Sequence, residues 1–191
     1  MKHRMKSLPV GIALILFGVV GLGVVLLLGG ASRPMHGGGM DEMDAMFIEG
    51  MIPHHDDAIA MAELALDRSN RPEIRQLAED ILRSQTAENA QMQDWYREWY
   101  GRAPGDGRGM GMGMGMMSEM TDMRALESAP DFDKEFIEQM IPHHEMAVMM
   151  TGMVGSGGGR QELRELADSM RDAQSREIEL MEGWYGDWYG R

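Results

Sequence analysis

The chain has 191 residues, room for one ordinary domain plus extra segments, and carries 23 Met, 25 Gly and no Cys. Without Cys, disulfides, thiolate zinc sites, cysteine nucleophiles and Cys-ligated iron–sulfur clusters are excluded. An acidic balance of 31 Asp and Glu against 18 Lys and Arg argues against a nucleic-acid partner, which needs a basic face.

Residues 1–7, MKHRMKS, hold Lys2, Arg4 and Lys6, and residues 8–30 are uncharged from Leu8 to Gly30. A positive flank before an apolar run is an export segment and is set apart from the domain fold. The run is long enough to span a bilayer, which takes about 20 helical residues. Gly29 and Ala31 also suit a cut before Ser32, so residues 1–31 are either a cleaved signal or an uncleaved anchor, with the length favouring the anchor. In both cases the basic residues stay in the cytoplasm and the rest is extracytoplasmic, in the periplasm or at the cell exterior. Removing 1–31 moves the formal net charge from −13 to −16.

Residues 32–41 read as a flexible tether, after which the chain repeats itself. FIEGMIPHHDDAIAM at 47–61 matches FIEQMIPHHEMAVMM at 136–150, and WYREWYG at 95–101 matches WYGDWYG at 184–190. Both lie 89 residues apart, and 23 of the 55 pairs between 47–101 and 136–190 are identical. Two copies at this spacing indicate duplication rather than a solenoid.

Each copy reads as a helical hairpin. The first, 42–100, has helices over roughly 42–67 and 72–99; Ile74, Leu77, Ile81, Met92, Trp95 and Trp99 recur at helical spacing, and Pro72 suits a helix start. The second, 124–191, has a helix capped by Asp131 and running to about Met153, a loop at VGSGGG where glycines should end it, and a helix over roughly 160–189. Four apolar stripes converge in an all-α four-helix bundle. Pro53 and Pro142 fall inside the first helix of each hairpin and remove a ladder bond to Glu49 and Glu138, so a kink beside each His pair is expected. The segment 101–123 alternates Gly and Met and reads as a linker; its Met110, Met112, Met114, Met116 and Met117 have no packing role and suit weak capture of Cu(I). The repeated Trp-Tyr pairs are expected to close the bundle ends.

MIPHH occurs twice. Met51, His54 and Met61 share one helical stripe, with His55 one turn from Met51. Met140, His143 and Met150 repeat this, with His144 beside them and Met146 and Met149 added. If the first hairpin turns near residue 69, numbers summing to about 138 lie level, which sets Gln85 and Glu88 opposite His54 and Met51. For a turn near 158 the sum is about 316, which sets Gln174 and Glu177 opposite His143 and Met140. A carboxylate inside a core needs a partner: a protonated His, a hydrogen-bonded Gln or a metal ion. Imidazole with thioether is a ligand set for copper, sulfur favouring Cu(I) and nitrogen with carboxylate favouring Cu(II). The alternative is plain: a histidine can be a hydrogen-bonded core residue, and Met at helical spacing is ordinary filler.

MIPHH followed in the next helix by Q-x-x-E-x-x-x-M-x-x-W, here Gln85, Glu88, Met92 and Trp95, then Gln174, Glu177, Met181 and Trp184, resembles the bacterial domain of unknown function 305. The resemblance covers about 42–190. It implies a ferritin-like helical bundle, usually exported, with periplasmic relatives that bind copper through His and Met and are linked to copper resistance. By that similarity Met51, His54, His55, Met61, Met140, His143, His144 and Met150 are candidate copper ligands, with Gln85, Glu88, Gln174, Glu177, Met146 and Met149 as supporting or additional ones. The long Gly-Met linker departs from the family pattern.

The expectation is therefore an exported copper-binding protein for sequestration, transfer or resistance, with the ion as ligand, the membrane as a contact if the anchor is uncleaved, and a copper-handling protein as a partner. An envelope interaction bundle without metal is the second reading. A di-iron oxidase fares worse, because no Glu-x-x-His occurs at these histidines, and no nucleophile elbow is present, so no enzymatic activity is expected.

Overall fold

The computed structural model describes residues 38–105, 121–157 and 159–190. The export segment 1–31, most of the tether and the linker methionines Met110, Met112, Met114, Met116 and Met117 lie outside the described residues. Those described form five helices and no strand: α1 (Gly38–Arg68), α2 (Pro72–Tyr100), α3 (Met123–Ser128), α4 (Phe132–Gly157) and α5 (Gln161–Tyr189). None of these helices is long and apolar enough to cross a membrane.

Local chemistry sets most of the boundaries. Pro72 opens α2, where its missing N–H costs nothing. Asp131 accepts from Lys134 N at 3.2 Å and so caps α4. Gly101 and Gly190, 89 residues apart, adopt φ of 69° and 70° and return their N–H groups to Arg97 and Gly186, closing α2 and α5 with a left-handed residue that favours glycine. α1 and α4 stay helical through Pro53 and Pro142.

Three expectations are corrected. α1 begins at Gly38 rather than near 42. α4 does not stop at Met153 but continues through Val154, Gly155 and Ser156 to Gly157. Buried Val154 anchors that last turn in the core, which offsets a glycine penalty of about 1 kcal/mol per residue. α3 was not expected at all; Asp122 caps it by accepting from Ala125 N, and buried Leu126 ties it to the bundle.

α1 packs on α2, α4 on α5, and α1 on α4, so α1 and α4 form the centre of a helical bundle. Two apolar clusters fill it. One joins Ala58, Met61, Ala62 and Ala65 of α1 to Ile74–Ile81 of α2, Phe132–Met140 of α4 and Met181 of α5. The other joins Phe47–Ile52 of α1 to Met92 and Tyr96 of α2, Ala147–Val154 of α4 and Leu163–Met170 of α5. The C-terminal half of α1 thus meets the N-terminal half of α4, and the reverse, so the two helices run antiparallel. Between the clusters lie the four histidines of the MIPHH motifs.

The ends are fastened reciprocally. Arg160, in the α4–α5 turn, pairs with Asp44 of α1 at 3.1 Å and stacks over Trp99 of α2 at 4.3 Å. Arg71, in the α1–α2 turn, pairs with Asp133 of α4 at 3.1 Å and stacks over Trp188 of α5 at 4.0 Å. Every member of one clasp lies 89 residues from its counterpart. Each hairpin's turn is therefore held by the other hairpin's open end, and the Trp-Tyr pairs do close the bundle. At the first clasp a Cβ on Gly159 would overlap Asp44 Oδ1, so the close approach of turn and carboxylate requires glycine there.

Candidate metal centre

His54 and His143 meet where α1 crosses α4, their ring centroids 3.7 Å apart and the planes tilted by 33°. His144 sits 6.2 Å from His143, centroid to centroid. All four histidines are buried, His55 and His144 completely. Burial pushes His54 down to about 3, with the neighbouring imidazoles of His55 and His144 acting in the same direction. Burial pushes His143 down to about 2, reinforced by His54, His144 and His55. Both rings are therefore neutral at physiological pH, the form that can give a lone pair to a metal.

Glu88 and Glu177 define the outer partners. Nε2 of His55 meets Glu88 Oε2 at 2.9 Å, and Nε2 of His144 meets Glu177 Oε2 at 2.7 Å. A carboxylate only accepts, so Nε2 carries a proton in both rings, and Nδ1 is the nitrogen left to hold a metal. Each Nδ1 is buried without a hydrogen-bond partner, as are His54 Nδ1, both nitrogens of His143, and Oε1 of Gln85 and of Gln174. Buried polar atoms are nearly always satisfied. Here most of the unpartnered ones lie on the imidazole and Gln residues of one small region. Carboxylate-backed imidazole is the usual way to fix the tautomer of a ligating histidine.

The level arithmetic needs a shift. His55 with Glu88 sums to 143 rather than 138, and His144 with Glu177 to 321 rather than 316. Non-helical residues fill each turn, and Cβ atoms lean toward the N-terminus of their helix, so contacts fall between residues about one position further along each. Glu88 consequently backs His55 rather than facing Met51.

The methionines divide. Met51 and Met150 are buried in one apolar cluster, and Met61 and Met140 in the other, on opposite sides of the imidazole layer. Met92 and Met181 are core filler as expected. Met146 is partly buried against the second cluster. Met149 is 53% exposed. No three His, Asp or Glu side chains among the described residues converge as a ready cage. The donors fit an ion that is content with few ligands, taken in pairs, better than one that demands four.

Two acidic networks escaped the sequence reading. Asn89 Nδ2 donates to Asp56 Oδ1 at 2.9 Å, bracing the helix just past the His pair. Buried Glu49 accepts from Tyr96 Oη and from Gly105 N, and Tyr185 repeats the tyrosine contact with Glu138. Glu49 and Glu138 precede their His pairs by five and six residues in both copies, and identity in both was the one signal available.

The fold and this centre define an all-helical bundle with a buried, carboxylate-backed imidazole cluster at its middle. The chain belongs to the family described as Domain of unknown function (DUF305), whose profile matches residues 44–185. It is similar to the solved structure of CopM in the Cu(II)-bound form, with 46% identity, a TM-score of 0.70 and coverage of 76% of this chain and 97% of that one. CopM in the Cu(I)-bound form aligns with 44% identity and a TM-score of 0.68 over 77% of this chain and 98% of that one. A DUF305 fragment from Deinococcus radiodurans aligns at 30% identity and TM-score 0.64, covering 76% and 96%. An uncharacterised protein of Acanthamoeba polyphaga mimivirus is 45% identical over 49 residues, which span 26% of this chain and only 32% of that protein.

Proposed function

We propose that this chain is an extracytoplasmic copper-binding protein that holds the ion, chiefly as Cu(I), on the paired imidazoles of His54, His55, His143 and His144. One observation carries the reading: a cluster of four buried imidazoles with unpartnered nitrogens, two of them backed by Glu88 and Glu177. Similarity to structures of CopM with Cu(I) and Cu(II) supports the choice of metal. Export rests on the basic flank and apolar run at residues 1–30.

The chain's own groups account for what binding requires. Glu88 and Glu177 orient the rings of His55 and His144 and leave each Nδ1 without a hydrogen-bond partner. The depressed basicity of His54 and His143 removes proton competition at neutral pH. The apolar clusters above and below exclude water, which protects a monovalent ion from oxidation. Met51 and Met140 lie one turn from His54 and His143 on the same helices and offer thioethers within the same core, Met61 and Met150 lie about two turns away, and Gln85 and Gln174 bring amide oxygens. The linker methionines Met110, Met112, Met114, Met116 and Met117 add weak outer capacity, and passage to a copper-handling partner would start there.

The test is a Cu(I) titration against a competing chelator. Replacing His54, His55, His143 and His144 by Ala should abolish the tight equivalents while circular dichroism reports retained helix. Unchanged stoichiometry and affinity in the folded variant would overturn the proposal.

A further inference from the structure

A second cluster of metal-binding atoms lies outside the imidazole layer. At the end where α1 begins and α4 finishes, Met43, Met46, Met150 and Met153 surround a cavity of about 50 Å³, completed by Phe47 and Val154. That is room for one small ion, since a single water needs on the order of 10–15 Å³ by the same kind of measure. Four methionines line it, with no histidine and no acidic residue among the lining residues.

Packing accounts for buried Met150 but not for Met43 and Met153. The positions 89 residues away are Phe132 for Met43 and Leu64 for Met153. Phe132 is buried in the first cluster, and Leu64 packs against it. At the cavity, Met43 remains 38% exposed and Met153 43% exposed. The same fold position is thus filled well by Phe and Leu at one end, while the other end carries sulfur side chains that bury less and leave a void. Thioether sulfur is neutral, soft and never protonated, so it suits monovalent copper or silver and not Cu(II) or Zn(II).

We infer that Met43, Met46, Met150 and Met153 form a second, thioether-only site for a soft monovalent cation, separate from the imidazoles. Met150 lies seven residues from His143 on α4, about 10 Å along the axis, so the two sites are distinct stations on the same helices. The inference shares with the imidazole reading only the premise that such an ion reaches the protein.

The experiment uses the full chain with ¹³C-labelled Met methyl groups and Ag(I) as a redox-inert probe. Signals are assigned by single Met→Leu changes, which nearly conserve volume. Silver should shift the methyls of Met43, Met46, Met150 and Met153 together, and Zn(II) should leave them in place. M43L/M153L, altering two half-exposed residues, should keep its silver-free melting temperature, lose one bound equivalent and leave Met46 and Met150 unresponsive. In a chain with all four motif histidines changed to Ala, the four methyls should still shift. Methyls that stay in place at saturating silver, or Met46 and Met150 signals that still move in M43L/M153L, overturn this site. Loss of silver on removing the histidines, with these methyls never moving, would leave the imidazole reading standing and this one refuted.

Discussion

At the scale of single residues, the protonation of His54 and His143 gives the sharpest expectation. In the unfolded chain a histidine takes up a proton near 6.5, whereas these two do so in the fold only near 3 and 2. Above pH 6.5 both states are neutral at these rings and stability is indifferent to pH on their account. As pH falls below 6.5 the unfolded chain binds protons that the fold refuses, and stability drops by about 1.4 kcal/mol per pH unit for each ring until the folded values are reached. Urea melts of the metal-free protein between pH 7 and pH 4 should show this loss, and H54Q/H143Q should shed most of it; an equal slope in both would show that the rings are not held neutral. The carboxylates act differently. E88Q or E177Q keeps an acceptor but removes the charge that holds Nε2–H, and Cu(I) affinity should fall by about 10–100-fold in the chelator competition while the apo melting point barely moves.

That Glu88 and Glu177 lie near the His pairs was legible, because both ends sit on helices of one hairpin, where a turn position and a rise per residue fix who lies level to within about a turn; that they back His55 and His144 was not. Nor was the contact of His54 with His143. It depends on how α1 registers against α4, and nothing local to either hairpin encodes that. The sulfur cavity was hidden for the same reason, since Met43 and Met46 are about a hundred residues from Met150 and Met153.

Among the elements, the two arginine clasps join the apolar clusters in fixing how the hairpins dock. The clasps are not equal. Asp44 is 2% exposed against 16% for Asp133. Arg160→Ala leaves a buried carboxylate with the backbone N–H of residue 160 but no cation, and breaking one partner of such a pair costs about 3–5 kcal/mol; Arg71→Ala should cost about 1 kcal/mol. The clasps lie at opposite ends with no shared partner, so the double variant should lose close to the sum of the two in denaturant melts. Strong coupling between them would mean that the hairpins undock as one event before the helices melt. The prolines provide the complementary case: Pro53→Ala restores a helix-interior N–H worth up to about 3 kcal/mol, so the apo protein should gain stability. Helix starts were readable where a proline or cap signals them, at Pro72 and Asp131. Boundaries were misread where tertiary packing overrides propensity. Val154 carries α4 through glycines that alone would end it, and α3 is too short to show a periodic stripe.

For the whole molecule, ligand linkage supplies the check. An ion bound only by the fold must raise its stability, by about 2.7 kcal/mol at a free concentration 100 times Kd. Thermal melts with buffered Cu(I) should therefore move upward, and the variant lacking the four histidines should move far less. Deleting residues 107–119 should leave the melting point of the helices nearly unchanged and remove only weak equivalents, because lengthening or shortening a long connection changes closure entropy slowly.

The reciprocal clasps relate the hairpins by an approximate two-fold axis that passes close to the meeting of His54 with His143. Two separate, identical hairpins docked this way would be compelled to wear the same side chains at both extremities. Any sulfur gained at one rim would appear at the other, together with every loss of hydrophobic contact it entails. Carrying both halves on one polypeptide lifts that compulsion. One rim can stay sealed by Phe132 and Leu64 and hold the assembly together, while its opposite is free to trade tight packing for affinity toward an ion.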